Sequence, residues 1–302
     1  MRIHMLSIVL AAAGLAVSAQ AHATVHVVTT VPDLAAITKE VGGDKVEVTA
    51  LSLPTQDPHF VDAKPSALLA LNRADLLIQV GLELEVGWLP TLQTGARNDK
   101  VLSGGAGFLD CSSFVTILET PKGAVDRSMG DVHPQGNPHY LYDPRAAAAC
   151  ATGIAAKLEQ IDGGNAGFYR TSLAAFLDRL TTARKRWEQQ MAAFRGRPVI
   201  TYHRSWTYVL DWLGLVELAN LEPKPGIPPS PGHVVDVLRL ARAQGAKIVL
   251  QEAYYPDKAG ALVASKLGGS VVKLPAGADV AAGETYTEHL GKVVDALAAA
   301  MK

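Results

Sequence analysis

Several usual carriers of chemistry are missing from this chain of 302 residues. It contains no H-E-x-x-H, G-x-S-x-G or P-loop pattern, which argues against a zinc hydrolase, a serine hydrolase and a phosphate-cradling NTPase. The one glycine run, Gly104-Gly105-Ala106-Gly107, has neither the Lys-Ser/Thr of a phosphate cradle nor the spacing of a dinucleotide fingerprint, so it reads as a turn. Net charge is scarce too. Lys and Arg number 28 against 29 Asp and Glu, a balance of -1 that argues against nucleic acid or an anionic membrane surface as partner. Cysteine is limited to Cys111 and Cys150. In an oxidising compartment these two are expected to form one disulfide, closing a loop of about 40 residues around His139 and contributing roughly 4 kcal/mol in the chain-entropy view. Past the N-terminus no long apolar run recurs, so the mature protein is expected to be soluble.

What is present begins with a leader. Residues 1–23 carry a basic start at Arg2, an apolar stretch from Met5 to Val17 and the small-x-small sites Ala19-Gln20-Ala21 and Ala21-His22-Ala23, the pattern of a secretory signal peptide. No cysteine near the cleavage site could carry a lipid, so the expected location is free in a bacterial periplasm. The remainder alternates apolar strand-like runs with helical periodicity: 25–30, 46–53 and 75–80 read as strands, and 34–41, 66–72 and 85–96 as helices. After residue 198 the alternation resumes. This is the pattern of α/β lobes with mostly parallel sheets. Between them, Tyr169, Leu173, Phe176, Leu180, Ala183, Trp187, Met191 and Phe194 recur every three or four residues, which predicts one long rigid helix. The expected organisation is a first lobe at 24–164, a joining helix at 165–195 and a second lobe at 196–302, with a cleft between the lobes.

Three histidines fall at loop positions facing that cleft. His139 is bracketed by Pro138 and Pro144, which hold its segment out of the α region until Asp143 caps the following helix. His59 follows the second strand in Gln56-Asp57-Pro58-His59-Phe60, and His203 ends the strand-like run Pro198-Val199-Ile200-Thr201-Tyr202-His203. Each alone is an ordinary loop histidine. Together they suggest a divalent metal site, since neutral imidazole suits zinc and its neighbours. His133 is one further loop histidine, while His233 and His289 read as solvent-facing or packed against the surface.

The chain also resembles a known family, the zinc- and manganese-binding substrate-binding proteins of ABC transporters. The resemblance rests on Gln56-Asp57-Pro58-His59-Phe60 with Lys64-Pro65-Ser66, on Ala74-Asp75-Leu76-Leu77-Ile78, on Gly81-Leu82-Glu83-Leu84-Glu85 and on Asn137-Pro138-His139-Tyr140-Leu141-Tyr142-Asp143-Pro144. In the second half it rests on Tyr202-His203, Pro229-Ser230 and Gly283-Glu284-Thr285-Tyr286. It implies a non-enzymatic carrier, expected to be a monomer, that binds zinc or manganese as transported cargo and passes it to a membrane permease; His203, where manganese members typically place a glutamate, makes zinc the expected cargo. It implies the ligands His59, His139 and His203 plus a carboxylate after the last strand, where Asp279 lies, with Glu284 as its rival and Glu252 read as a structural acceptor. Unlike zinc members with a long histidine-rich loop, this chain offers only His133 there. Two other readings stay open: a manganese carrier of the same family, and a zinc-dependent hydrolase, which would need an open coordination position and a general base.

Overall fold

Val25–Thr29 (β1), Val46–Ala50 (β2), Leu76–Gln79 (β3) and Phe108–Asp110 (β4) form a parallel sheet in the order β2-β1-β3-β4. The computed structural model describes residues 24–123, 125, 129–130 and 132–302; the expected signal peptide lies outside them. The helices Pro32–Gly42 (α1), Pro65–Arg73 (α2) and Leu89–Ala96 (α3) connect the strands, each with proline in its first turn, where a missing N–H costs nothing. β4 was not legible as a strand, being three residues long and directly behind the glycine run. That run is a turn with a packing reason: a Cβ on Gly107 would come within 2.1 Å of the Asp75 carbonyl.

The helix Pro144–Ile161 (α4) begins where expected, with the Asp143 carboxylate accepting from Arg145 N at 2.7 Å. It leads through a short turn into the long helix Ala166–Met191 (α5), 26 residues that span roughly 39 Å. Gly163–Asn165 and Ala192–Phe194 are tighter 3-10 turns at its ends, so the rod is shorter than its apolar seam. The second sheet, Pro198–Thr201 (β5), Val216–Asn220 (β6), Ile248–Glu252 (β7) and Ser270–Leu274 (β8), is again parallel, in the order β6-β5-β7-β8. The helices Thr207–Leu213 (α6), Pro231–Gln244 (α7), Asp257–Leu267 (α8) and Tyr286–Ala300 (α9) complete it, and α9 opens on a full capping box between Thr285 and Glu288.

Apolar burial ties these parts into one body. A single core cluster runs from Val27 and Ile37 of the first lobe, through Phe176, Leu180 and Trp187 of α5, to Val199, Leu250 and Leu290 of the second. Two satellite cores lie on the outer faces, one around Leu71 and Leu92, the other around Val237 and Val263. Lobes that share a core cannot swing apart without exposing it, at roughly 25 cal/mol for each Å² uncovered. Among the described residues no helix is long and apolar enough to cross a membrane.

Two expectations are corrected here. Cys111 and Cys150 are free thiols, both fully buried, with Cys150 Sγ turned to the Cys111 carbonyl at 3.9 Å. They fill the core between β4 and α4 as small apolar groups rather than as a disulfide. His289 is not surface-facing. It is 2% exposed, buried within the first turns of α9.

Candidate metal centre

Each of the three histidines is set by local chain chemistry. Asp57 Oδ1 accepts from the His59 backbone N–H at 3.0 Å and sits 2.7 Å from His59 Nδ1, while the Trp88 indole donates to Pro58 O at 2.9 Å and fixes the loop. His139 is held by Asn137, whose side-chain oxygen accepts its N–H at 2.9 Å. The next residue, Tyr140, donates to Val80 O at 2.6 Å at the end of β3. His203 lies two residues beyond β5, and its Nδ1 is 2.7 Å from Glu222 Oε2. The three rings form a nearly equilateral triangle, each pair of centroids 5.3 Å apart. One ligand nitrogen from each lies within 4.8 Å of the others.

The nitrogens facing away from these partners point inward. With Nδ1 of His59 and His203 each turned to a carboxylate, the ε nitrogens are left for the centre. Nε2 of His139 is buried with no hydrogen-bond partner at all. Carboxylates behind ring nitrogens fix tautomer and orientation and raise ligand basicity. Burial, reinforced by His59 and His203, pushes His139 well below the ordinary histidine range, so this imidazole is neutral at pH 7 as a ligand must be. Burial works to raise the Asp57 carboxyl, but the hydrogen bonds and charge of His59, with His203 adding to them, together outweigh it and keep Asp57 below the usual carboxylate range.

The remaining candidates sit elsewhere, with one exception. Asp279, expected as the fourth ligand, is exposed and does not join the histidines. Its loop is pinned to the first lobe by two hydrogen bonds, Ala276 N to Pro54 O and Ala278 N to Asp33 Oδ1, both 2.8 Å. Ala278 is thereby buried, and the next side chain turns outward, where it accepts from Ala282 N at 3.1 Å. Glu284 takes the Asp279 N–H at 2.6 Å and pairs with Lys292 at 2.6 Å. Glu252 is buried at the end of β7, where Ser205 and Trp206 face its carboxylate. His233 Nε2 meets the Asn220 carbonyl at 2.9 Å. The exception is His133, whose Nε2 is 3.3 Å from His59 Nε2. Burial first, then His59 and His203, push it down to about 3.

Sequence reasoning missed Glu222 and the orienting role of Asp57. Asp57 left a local signal, an acidic residue two before a loop histidine. Glu222 left none, because only the pairing of β5 with β6 brings it beside His203.

Two parallel α/β lobes on a rigid helix, with three largely buried imidazoles converging between them, define a metal-binding substrate-binding protein. The chain belongs to the ZnuA family, the periplasmic A component of the zinc-uptake complex, whose description matches residues 27–300. It is 26% identical over 306 residues to the high-affinity zinc uptake system protein ZnuA of Paracoccus denitrificans, covering 90% of this chain and 89% of that one. It is 29% identical to the manganese ABC transporter substrate-binding lipoprotein PsaA of Streptococcus pneumoniae, over 51% of this chain and 47% of that one. A crystal structure of ZnuA superposes with a TM-score of 0.77 at 25% identity, covering 92% of this chain and all of that one. Such proteins are solute-binding components of transporters rather than enzymes.

Proposed function

We propose that this protein captures zinc in the periplasm through His59, His139 and His203 and delivers it to the membrane permease of an ABC transporter. The observation that carries the reading is the inward convergence of three ring nitrogens, one of them buried without any partner inside the protein. Buried polar atoms are nearly always hydrogen-bonded, and a lone pair left free at the meeting point of two other imidazoles is suited to a cation. Three nitrogen donors favour zinc, whereas manganese prefers oxygen-rich sites of higher coordination. The protein acts as a monomer, free of a lipid anchor, with residues 24–164 and 196–302 as its two lobes and 165–195 as the joining helix. The test is competition titration of the purified protein with zinc and manganese, alongside metal analysis after reloading. One zinc per chain, bound more tightly than manganese, is expected. Tighter manganese binding overturns the choice of cargo.

A further inference from the structure

We infer that Glu85 is a positioning residue that sets His59 against His139, the two metal-facing histidines of the first lobe; the proposal rests on the zinc reading above. The Glu85 side chain is buried, 2% exposed, just past the carboxyl end of β3. Its Oε1 accepts from the Thr30 hydroxyl at 2.6 Å and from Val80 N at 2.8 Å, and its Oε2 accepts from Gly81 N at 3.1 Å. Thr30 follows β1 and Val80 follows β3, so one carboxylate fastens the ends of the two central strands together.

Two arms lead from this anchor to the two histidines. Val80, whose N–H Glu85 holds, accepts from the Tyr140 hydroxyl at 2.6 Å, and Tyr140 is the residue after His139. The Glu85 carbonyl accepts from Trp88 N at 3.1 Å, and the Trp88 indole donates at 2.9 Å to the carbonyl of Pro58, the residue before His59. A further link runs through Thr30, whose carbonyl accepts from Ser52 N and the Ser52 hydroxyl at 3.2 and 2.8 Å, where the loop carrying His59 leaves β2. Asp57 turns the His59 ring; Glu85 places the backbone that carries it. The 5.3 Å between the His59 and His139 rings is therefore measured off one buried carboxylate.

The backbone beside Glu85 supports the same reading. Gly81, Leu82 and Glu83 stand in succession at φ +86°, +53° and +66°. Left-handed backbone is costly for residues that carry a side chain and persists where its surroundings over-determine it. Here the Glu85 carboxylate holds Val80 N and Gly81 N, and Leu84 N closes on Gly81 O at 3.1 Å. Gly81 has no room for a side chain, since a Cβ would come within 2.2 Å of Asp110 Oδ1. A turn that only joined β3 to α3 would need none of this strain. A turn that must present Val80 O to Tyr140 and the Trp88 indole to Pro58 does.

The experiment measures zinc affinity by chelator competition, zinc K-edge absorption spectra of the loaded protein and the melting temperature without metal. It is run at pH 8, because burial pushes the Glu85 carboxyl up to about 7 and the ionised form is the one to be tested. Glu85→Gln keeps the shape but sets an amide NH2 against backbone N–H donors, while Trp88→Phe and Tyr140→Phe each cut one arm. Leu158→Ala, at a fully buried core position near the far end of α4 from His139, is the control for lost stability alone. We expect zinc binding about tenfold weaker in Glu85→Gln and about threefold weaker in each arm variant, with a more disordered imidazole shell around the zinc. Leu158→Ala should lower the melting temperature and leave affinity and spectrum as in wild type. If wild type binds no zinc, the function itself fails. If wild type binds and Glu85→Gln matches it, or Leu158→Ala loses as much affinity for the same fall in melting temperature, the function stands and the positioning role is overturned. Should Glu85→Gln not fold, the arm variants decide: wild-type affinity in both overturns the role.

Discussion

His203 Nδ1 and Glu222 Oε2 lie 2.7 Å apart in the second lobe, with both side chains almost wholly buried. Nineteen residues separate them, and the carboxylate is itself held by Gly226 N at 3.0 Å. A metal-facing imidazole oriented this firmly loses little rotational freedom on binding. Replacing Glu222 by Gln should therefore weaken zinc binding by about 10- to 100-fold while leaving far-UV circular dichroism unchanged. Unchanged affinity in the competition titration would show that His203 needs no orienting partner.

The outward position of Asp279 gives a contrasting expectation. Asp279→Ala should change zinc affinity by less than about threefold, because the side chain only caps its own turn. Asp33→Ala should lower the melting temperature instead. It removes the buried acceptor of Ala278 N and leaves that donor unpaired, at a cost of about 1–3 kcal/mol. A tenfold loss of zinc affinity in Asp279→Ala would mean that this loop leaves its two pins to reach the centre.

Much of this was legible in the sequence because it is local. Alternating periods of two and 3.6, proline at helix starts and the Asp143 cap give the element order and most boundaries, and the Pro138 and Pro144 bracket marks His139. What was not legible depends on contacts between distant segments. The outward turn of Asp279 follows from Asp33, some 245 residues earlier, holding Ala278. Glu222 reaches His203 through strand pairing, and His133 reaches His59 through the return path of a loop with no periodic signal. The two thiols sit in adjacent elements, as a disulfide would need, but spacing says nothing about how the sulfurs face.

Glu252 provides a pH test. It is fully buried at the end of β7, and burial, partly offset by Ser205 and Trp206, pushes its carboxyl up to about 7. A folded-state value above the unfolded 4.5 means that the native protein holds the proton more tightly. The resulting stability is full below about pH 4.5 and is lost as pH rises through 7. Glu252→Gln keeps the shape without the ionisation. It should match wild type near pH 5 and melt a few degrees higher at pH 8, an effect of at most about 3 kcal/mol. Thermal scans at the two pH values decide it. An equal difference at both would place the effect in packing rather than in the proton.

The unpartnered Nε2 of His139 links stability to cargo. A buried nitrogen without a hydrogen bond costs about 1–3 kcal/mol, and a bound cation would remove that cost. His139→Leu replaces the ring by an apolar side chain in a pocket already lined by buried groups, so the variant without zinc should melt a few degrees above wild type. Adding zinc at a thousandfold excess over the dissociation constant should stabilise wild type by about 4 kcal/mol, and should leave His139→Leu nearly unmoved. The order of melting temperatures therefore reverses: the variant is higher without zinc and wild type is higher with it. Paired scans with and without the metal test this, and a variant that keeps the full zinc shift would remove His139 from the site.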